Sequence, residues 1–376
     1  MDQQEVINAI ALSRLNYFSL TGLLQLYRTL GSATAVMEHR HDIRDILPDA
    51  TDRLVTALQN TDEALKRAEV ELEYDMKYGI TPLPLNDENY PDRLRDVDDA
   101  PLVLFYKGNA NLNQLRVINI VGTRHCTVYG QEVIARFIRE LKELCPQVLI
   151  VSGLAYGVDI HAHRQALANG YETIGVLAHG LDELYPTRHR ETAVRMLTQG
   201  GLLTEFLTQS KVDKINFVRR NRIVAGISDA CVLVESAAKG GGLITAGISQ
   251  SYGREVFAFP GRLGDVYSEG CNRLIMNNGA SLLLTANDFV QAMGWEVDMA
   301  LGKARKQGIE REIFPELSDE EQAVVNALQA HNDLQINMLA VQANIPIGKL
   351  TALLFSLEMK GVIKALAGGT YHLLMR

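Results

Sequence analysis

A cluster of three arginines is the most distinctive chemical feature of this sequence. Arg219, Arg220 and Arg222 fall within four positions, with Asn221 among them and Phe217 just before them. In a helix, the phenyl ring would share a face with Arg220 and Asn221, at spacings of three and four residues. Crowded guanidinium groups repel one another unless an anion or protein carboxylates lie opposite. The stretch therefore predicts either a phosphate-binding helix face with a ring that can stack on a base, or a surface helix with solvated arginines.

The charge of the chain is acidic overall and basic in one place. The net charge is −8, whereas residues 211–222 hold five positive residues and one negative residue. This balance argues against a protein that coats nucleic acid with a broad basic surface, but it permits a local basic pocket. No run of about 18 apolar residues and no signal peptide is present, so a membrane span is not expected. The four scattered cysteines form no C-x-x-C pair, which favours a reduced, cytoplasmic protein without a zinc site.

Short β-branched runs alternate with helical stretches from about residue 100. That alternation predicts an α/β fold: an extended Rossmann-like, doubly wound and mostly parallel sheet, which binds ligands beyond the carboxyl ends of its strands. Small residues and an arginine follow three of these strands, at residues 122–124, 152–153 and 239–242. The predicted strands are 117–121, 148–151, 173–177, 202–204, 231–234, 256–259 and 281–284.

A run of three glycines is the second candidate for anion binding. Gly240, Gly241 and Gly242 follow a predicted strand and precede a predicted helix. Successive glycines can form a nest of backbone N–H groups, and helix N-termini attract anions. The alternative is a turn that needs only the conformational freedom of glycine.

The two ends of the chain differ from the middle. Residues 1–80 predict a helical domain of the helix-hairpin-helix or sterile-alpha-motif kind, and residues 81–298 the Rossmann-like domain. A polar linker is expected at 299–316, followed by a winged-helix domain at 317–376 with three helices and a hairpin. The third of these helices offers only Lys349 and Lys360 as cations, which favours contact with protein over contact with DNA.

Several kinds of catalytic site find little support. No P-loop, G-x-G-x-x-G or G-x-S-x-G motif occurs, and no cofactor is expected. The cluster Asp159-x-His161-x-His163 has metal-like residues, but local hydrogen bonding and helix packing explain it as well. Glu205 and Glu235 both end predicted strands, where they are expected to form ion pairs with the arginines.

At these residues the chain resembles the DprA/Smf family, the DNA-processing proteins of natural transformation. The resemblance covers roughly residues 80–295, and several motifs in one order make it specific. The stretches that carry it are 90–94, 120–124 with 129–130, 152–159 with 162–163, 180–182 with 185–186, 217–223, and 253–261 with 270–272.

The resemblance implies a homodimer that binds and protects single-stranded DNA and loads the recombinase RecA onto it, without catalysis, a metal or a cofactor. Lys214 and Phe217 match a Lys-x-x-Phe pair of the family's pocket, and residues 220–222 match its R-N-R motif. The family commonly has Ser-Gly where this chain has Gly241-Gly242, so a hydroxyl contact is expected to be missing. The expected DNA-binding residues are Gly122, Thr123, Arg124, Ser152, Gly153, Lys214, Phe217, Arg220, Asn221, Arg222, Gly240, Gly241 and Gly242.

Two other functions stay open on sequence alone. The Rossmann-like region is also similar to nucleotide phosphoribohydrolases with a P-G-G-x-G-T-x-x-E motif, but Ile248 stands where their catalytic glutamate would be. A winged-helix regulator that reads DNA is the other alternative, and the low positive charge of that domain weakens it.

Overall fold

The structure is a computed structural model that describes residues 2–15, 20–295, 317–332, 334–360, 362–366 and 369–373. The chain forms two compact units, Met1–Gly294 and Trp295–Arg376. The predicted linker at 299–316 lies outside the described residues. The domain boundaries expected at residues 80 and 298 stay predictions.

A nine-stranded sheet organises the first unit. Its order is β1-β2-β6-β5-β4-β3-β7-β8-β9, and the seven strands from β6 to β9 run parallel. The chain leaves β3 toward β4 on one side and later returns to pair β7 on the other side, so the order reverses at β3. The strands are β1 (Thr81–Pro84), β2 (Val103–Gly108), β3 (Val117–Val121), β4 (Leu149–Ser152), β5 (Thr173–Val176), β6 (Gly200–Thr204), β7 (Ala230–Leu233), β8 (Glu255–Ala258) and β9 (Ser281–Leu282).

All seven predicted strands are confirmed. Two further strands, β1 and β2, were not predicted from the sequence. β1 contains Pro82 and Pro84, and in the sequence these prolines indicate the end of a helical region rather than a strand. An edge strand tolerates proline at alternate positions because every second N–H group points away from its neighbour. β1 pairs antiparallel with β2, and β2 pairs antiparallel with β6, so these two strands extend the parallel sheet.

The helices before β1 pack into the same hydrophobic core as the sheet. Val6, Ile10 and Leu24 share this core with Leu83 and Phe105 of the sheet. The helices of the first unit are α1 (Gln3–Ser13), α2 (Leu20–Leu30), α3 (Ala33–Glu38), α4 (Ile43–Ile46), α5 (Asp52–Gln59), α6 (Asp62–Tyr78), α7 (Asp92–Arg95), α8 (Val128–Leu144), α9 (Val158–Ala168), α10 (Arg190–Met196), α11 (Lys214–Gly226), α12 (Gly241–Ser251), α13 (Glu269–Met276) and α14 (Ala286–Ala292).

The second unit has the predicted winged-helix elements. They are α15 (Asp319–Ala330), β10 (Leu334–Gln335), α16 (Ile336–Ala343), α17 (Ile347–Met359), β11 (Ile363–Leu366) and β12 (Thr370–Leu373). The hairpin of β11 and β12 is confirmed, and the short β10 adds a third strand that sequence reasoning missed. Leu328, Leu339, Leu350 and Leu354 form the centre of its core.

No single helix among the described residues is long and apolar enough to cross a membrane. Residues 336–343 and 347–358 of the described chain would together be long and apolar enough, but the two helices are bent by 101° where they meet.

Glu321 should make the winged-helix unit sensitive to acid. Its buried carboxylate accepts hydrogen bonds from Lys360 Nζ at 2.7 Å, Ser356 Oγ at 2.8 Å and Ser318 N at 2.9 Å. Burial alone would raise the pKa of Glu321, but these bonds outweigh it and lower the pKa to about 2. The ionised form therefore stabilises the fold above the pKa of an exposed glutamate, about 4.3, and that contribution is lost as the pH falls toward 2.

Hydrogen exchange of peptides from α15 and α17, corrected for the intrinsic effect of pH, measures this loss. Between pH 5 and pH 3 we expect protection to fall in the wild type and to change much less in Glu321→Gln, which is less stable at pH 5. An equal fall in both proteins would show that Glu321 is not responsible.

Candidate nucleic-acid interface

The largest concentration of predicted site residues lies where the strand order reverses. A pocket of about 280 Å³ opens there, beyond the carboxyl ends of β3, β4 and β7. This is the position at which doubly wound sheets bind ligands. Ten of the thirteen predicted residues line it: Gly122, Thr123, Arg124, Gly153, Phe217, Arg220, Asn221, Gly240, Gly241 and Gly242.

One face of α11 forms a wall of the pocket. The helix begins after Asp213, whose carboxylate caps it by accepting a hydrogen bond from Ile215 N. Phe217, Arg220 and Asn221 point into the pocket, which confirms the predicted common face. These three side chains point the same way because residues three and four apart are neighbours on a helix surface.

Arg220 forms part of the pocket floor and is held rigidly. Its Nη1 donates to Val176 O at 2.6 Å, and the residue is only 4% exposed. A Cβ atom on Gly153 would lie 1.8 Å from Nη1, so the guanidinium rests directly on that glycine. The nearby carboxylate of Asp159 accepts a hydrogen bond from Gly153 N at 3.1 Å. Burial raises the pKa of Asp159, and the positive charge of Arg220 opposes that rise.

Arg124 supplies a positive charge at the pocket rim. Its side chain is exposed, and its guanidinium carbon lies 5.3 Å from the ring centre of Phe217. The loop that carries it packs tightly on Gly157, which has φ +75° and where a Cβ atom would lie 2.2 Å from Thr123 O. Thr123 N donates to Glu235 O at 2.7 Å. Arg124 and Phe217 thus present a charge and a partly exposed ring side by side.

The three glycines at the start of α12 serve different purposes. A Cβ atom on Gly242 would lie 2.9 Å from Gly122 Cα, so these two glycines let the helix start pack on the β3 loop. Gly241 has open space around it, which leaves room for the hydroxyl that the family commonly carries there. Gly240 precedes the helix without a side chain to cap it. A helix N-terminus has unsatisfied N–H groups and a positive partial charge, which suit an anion.

Three predicted residues are not brought to the pocket lining. Ser152 is buried and donates to Ile120 O at 2.6 Å, and Lys214 is exposed at the start of α11. Arg222 lies on another face of α11, where it pairs with Glu205 and donates to Asp99 O at 2.6 Å. Its side chain is 7% exposed, so its charge is already neutralised inside the protein.

The two strand-end glutamates have different partners. The expected pairing of Glu205 with an arginine is confirmed at Arg222. The expectation for Glu235 is wrong, because its carboxylate accepts hydrogen bonds from Thr127 N at 2.9 Å and Thr127 Oγ1 at 2.6 Å. Thr127 caps α8, so Glu235 fixes the loop between β3 and that helix.

The sequence does not predict a pocket role for two residues that lie there. Asp159 is suggested by the sequence only as a possible metal ligand, but as the second residue of α9 it lines the pocket. Tyr185 is 46% exposed, and its ring meets Phe217 edge-to-face with centres 5.9 Å apart. Its distance from α11 in the sequence gave no sign of this contact.

The residues of the suspected metal cluster have separate environments. His163 Nδ1 lies 2.7 Å from Thr173 Oγ1, and burial lowers the pKa of this histidine to about 3, so it is neutral. In the described part of the chain, no three His, Cys, Asp or Glu side chains form a group that could hold a metal ion.

The fold and this pocket define a Rossmann-like protein with a site suited to an anion beside an aromatic ring. Residues 81–294 match the family model of DNA recombination-mediator protein A, and residues 314–369 match that of the DprA winged helix domain. The chain belongs to the DNA recombination-mediator protein A family, also known as DprA/Smf. The resemblance seen in the motifs is therefore confirmed.

Three relatives illustrate the similarity. The DNA processing protein DprA of Bacillus subtilis is 39% identical over 217 residues, which is 57% of this chain and 72% of the relative. The crystal structure of DprA from Streptococcus pneumoniae superposes with a TM-score of 0.62 at 30% identity, over 75% of this chain and 95% of that one. The structure of DNA processing protein A from Helicobacter pylori, reported for its single-stranded DNA binding mode, gives a TM-score of 0.51 at 29% identity, over 57% of this chain and 95% of that one.

Proposed function

We propose that this chain binds single-stranded DNA in the pocket at the carboxyl ends of β3, β4 and β7, protects it and passes it to the recombinase RecA during transformation or recombination. The observation that carries the proposal is the convergence of Arg124, Phe217, Arg220 and the glycine loop at one pocket. The single-stranded DNA binding mode reported for the Helicobacter pylori relative supports it.

The chemistry of the pocket favours a single strand over a duplex. Arg124 and the start of α12 hold phosphates, and the ring of Phe217 stacks on a base, which must be unpaired to present its face. Arg220 adds positive potential from the floor. The net charge of −8 argues against strong phosphate attraction over the whole surface, and the positive charges of Arg124 and Arg220 lie at this pocket.

Binding without catalysis fits the pocket better than nucleotide hydrolysis. Asp159 is the one carboxylate among its lining residues. It accepts a hydrogen bond from Gly153 N and lies close to the positive charge of Arg220. Ile248 stands at the position of the catalytic glutamate of the hydrolases. Release of free base from nucleoside monophosphates by the purified protein would contradict this part of the proposal.

The winged helix serves in protein contact rather than in reading DNA. Lys349 forms an exposed ion pair with Glu320, and Lys360, at the C-terminal end of the third helix, pairs with the buried Glu321, so each lysine has a carboxylate beside it. Duplex binding that is lost when both lysines are replaced would instead favour the regulator alternative.

The protein acts as a homodimer in the cytoplasm. β9 forms one edge of the sheet, and Met276, Leu282 and Leu284 are all at least half exposed near it. An open edge with exposed apolar side chains is suited to pairing with a second copy. Sedimentation of a monomer at micromolar concentration would contradict the dimer, and failure to accelerate RecA filament formation on single strands would contradict the transfer.

Replacing Arg124 and Phe217 separately should distinguish phosphate binding from base stacking. Arg124→Ala is expected to weaken binding of a single-stranded oligonucleotide about tenfold and to reduce the slope of log K against log salt by about 0.7, since one phosphate contact is lost. Phe217→Ala is expected to weaken binding about fivefold or more without a change of slope, since stacking releases no counterions. Fluorescence anisotropy across a salt series measures both.

Arg139, an exposed arginine of α8 outside the pocket, is the matched control. Arg139→Ala should bind like the wild type. If Arg124→Ala and Phe217→Ala also bind like the wild type, the DNA does not occupy this pocket.

A further inference from the structure

A pair of stacked rings borders the pocket outside its lining. The rings of His125 and Tyr267 have centres 5.8 Å apart, and their planes differ by 23°. His125 is exposed and Tyr267 is half-buried. His125 directly follows Arg124, so the pair begins where the positively charged rim of the pocket ends. The contacts described above give these two rings no role.

Both rings stand on backbone that is anchored to the residues after β7. Tyr267 O accepts a hydrogen bond from Ser236 N at 2.7 Å, and Ser236 immediately precedes Ala237 of the pocket wall. On the other side, His125 N donates to Thr123 Oγ1 at 3.1 Å, and Thr123 N is bonded to Glu235 O. The backbone that carries the two rings is therefore fixed relative to the pocket, which lowers the entropy cost of binding a flat ligand.

The loop that carries Tyr267 is itself closed at its base. Asn272 bonds Gly261 twice, with Oδ1 accepting from Gly261 N and Nδ2 donating to Gly261 O, both at 3.0 Å. Its exposed charged side chains before α13, Arg262 and Asp265, have opposite signs, and Glu269 at the start of α13 pairs with Arg273. The loop thus offers aromatic surface without net charge, which suits a nucleobase better than a phosphate.

We propose that His125 and Tyr267 form a second stacking platform for the same DNA strand, so that the strand runs from Phe217 across Arg124 to Tyr267. This inference rests on the proposed function, because it extends the single-strand path beyond the pocket. The ligand it assigns is an unpaired nucleobase next to the nucleotide whose phosphate Arg124 holds. Stacking on this platform is tolerant of base identity because every base has a flat π face.

The test measures binding of the full chain to a labelled oligothymidylate and to a series in which one abasic site is moved along the strand. Tyr267→Ala should bind the intact strand about fivefold or more weakly with an unchanged salt slope, since each stacked base contributes that much or more. One abasic position that weakens wild-type binding should have no further effect in Tyr267→Ala. That position should differ from the one that Phe217→Ala makes insensitive.

Two control variants separate stacking from damage to the loop. Tyr267→Phe keeps the ring and should bind like the wild type, as should Tyr78→Ala, which removes a 45% exposed tyrosine of α6. The inference is overturned if Tyr267→Ala binds every strand like the wild type while Phe217→Ala does not, and the proposed function then stands. It is also overturned if Tyr267→Phe is as weak as Tyr267→Ala. A wild-type protein that binds no single strand would refute the proposed function itself.

Discussion

Gly153→Ala should reduce the affinity for single-stranded DNA by at least about tenfold. The new Cβ atom would lie 1.8 Å from Arg220 Nη1 and 2.3 Å from its guanidinium carbon, so the arginine has to leave its place. It would then lose its hydrogen bond to Val176 O, and the charge-assisted bond is worth about 1.5–3 kcal/mol. The positive floor of the pocket and the alignment of Phe217 and Asn221 on the same helix face would both be disturbed.

The matched control is an alanine at a glycine outside the pocket that has free space. A Cβ atom on Gly247, an exposed residue of α12 that does not line the pocket, meets nothing within 4 Å, so Gly247→Ala should bind DNA like the wild type and melt no lower. Anisotropy titrations of both variants, together with their melting temperatures, make the comparison. Equal affinities for Gly153→Ala and Gly247→Ala would show that the position of Arg220 does not matter for binding.

Arg222→Ala should lower stability greatly and leave the DNA affinity of the folded protein nearly unchanged. Arg222 and Glu205 are 7% and 8% exposed, and Glu205 Oε1 has no hydrogen-bond partner. Removing the arginine leaves a buried, uncompensated carboxylate, which costs about 3–5 kcal/mol. For a unit of this size, that corresponds to a fall in melting temperature of roughly 5–8 °C.

The cause of that loss can be checked by removing the carboxylate as well. In Arg222→Met with Glu205→Leu, apolar side chains replace both charges, and much of the lost stability should return. DNA binding is measured well below the melting temperature of each variant. An Arg222→Ala protein that melts normally but no longer binds single strands would restore Arg222 to the DNA site, as the R-N-R resemblance implied.

The different roles of these arginines show where local pattern stops being informative. On the condition that the stretch is helical, its spacing alone placed Phe217, Arg220 and Asn221 on one face, because helix geometry fixes that relation. It could not say which face meets the pocket. Arg220 and Arg222 are about 200° apart around the helix, so packing against the sheet sends one to the pocket and the other to Glu205.

The glycines give a second example. The sequence placed Gly122, Gly153 and residues 240–242 after predicted strands. A glycine there is equally compatible with a turn, with close packing of two backbone segments or with an open loop. Only the neighbours brought by the fold distinguish Gly242, which packs on Gly122, from Gly241, which is open. The same limit applies to Glu235, whose partner Thr127 is 108 residues away in the chain.

The sequence by itself determined the parallel sheet, the winged-helix elements and the family, because these depend on local periodicity and on motifs read in order. Strand pairing at the edge, where Pro82 and Pro84 obscured β1, needed the tertiary structure. So did the burial of Arg222 and the approach of Tyr267 to His125, residues far apart in the chain. Such contacts are decided by which surfaces the sheet brings together, and no local pattern encodes that long-range geometry.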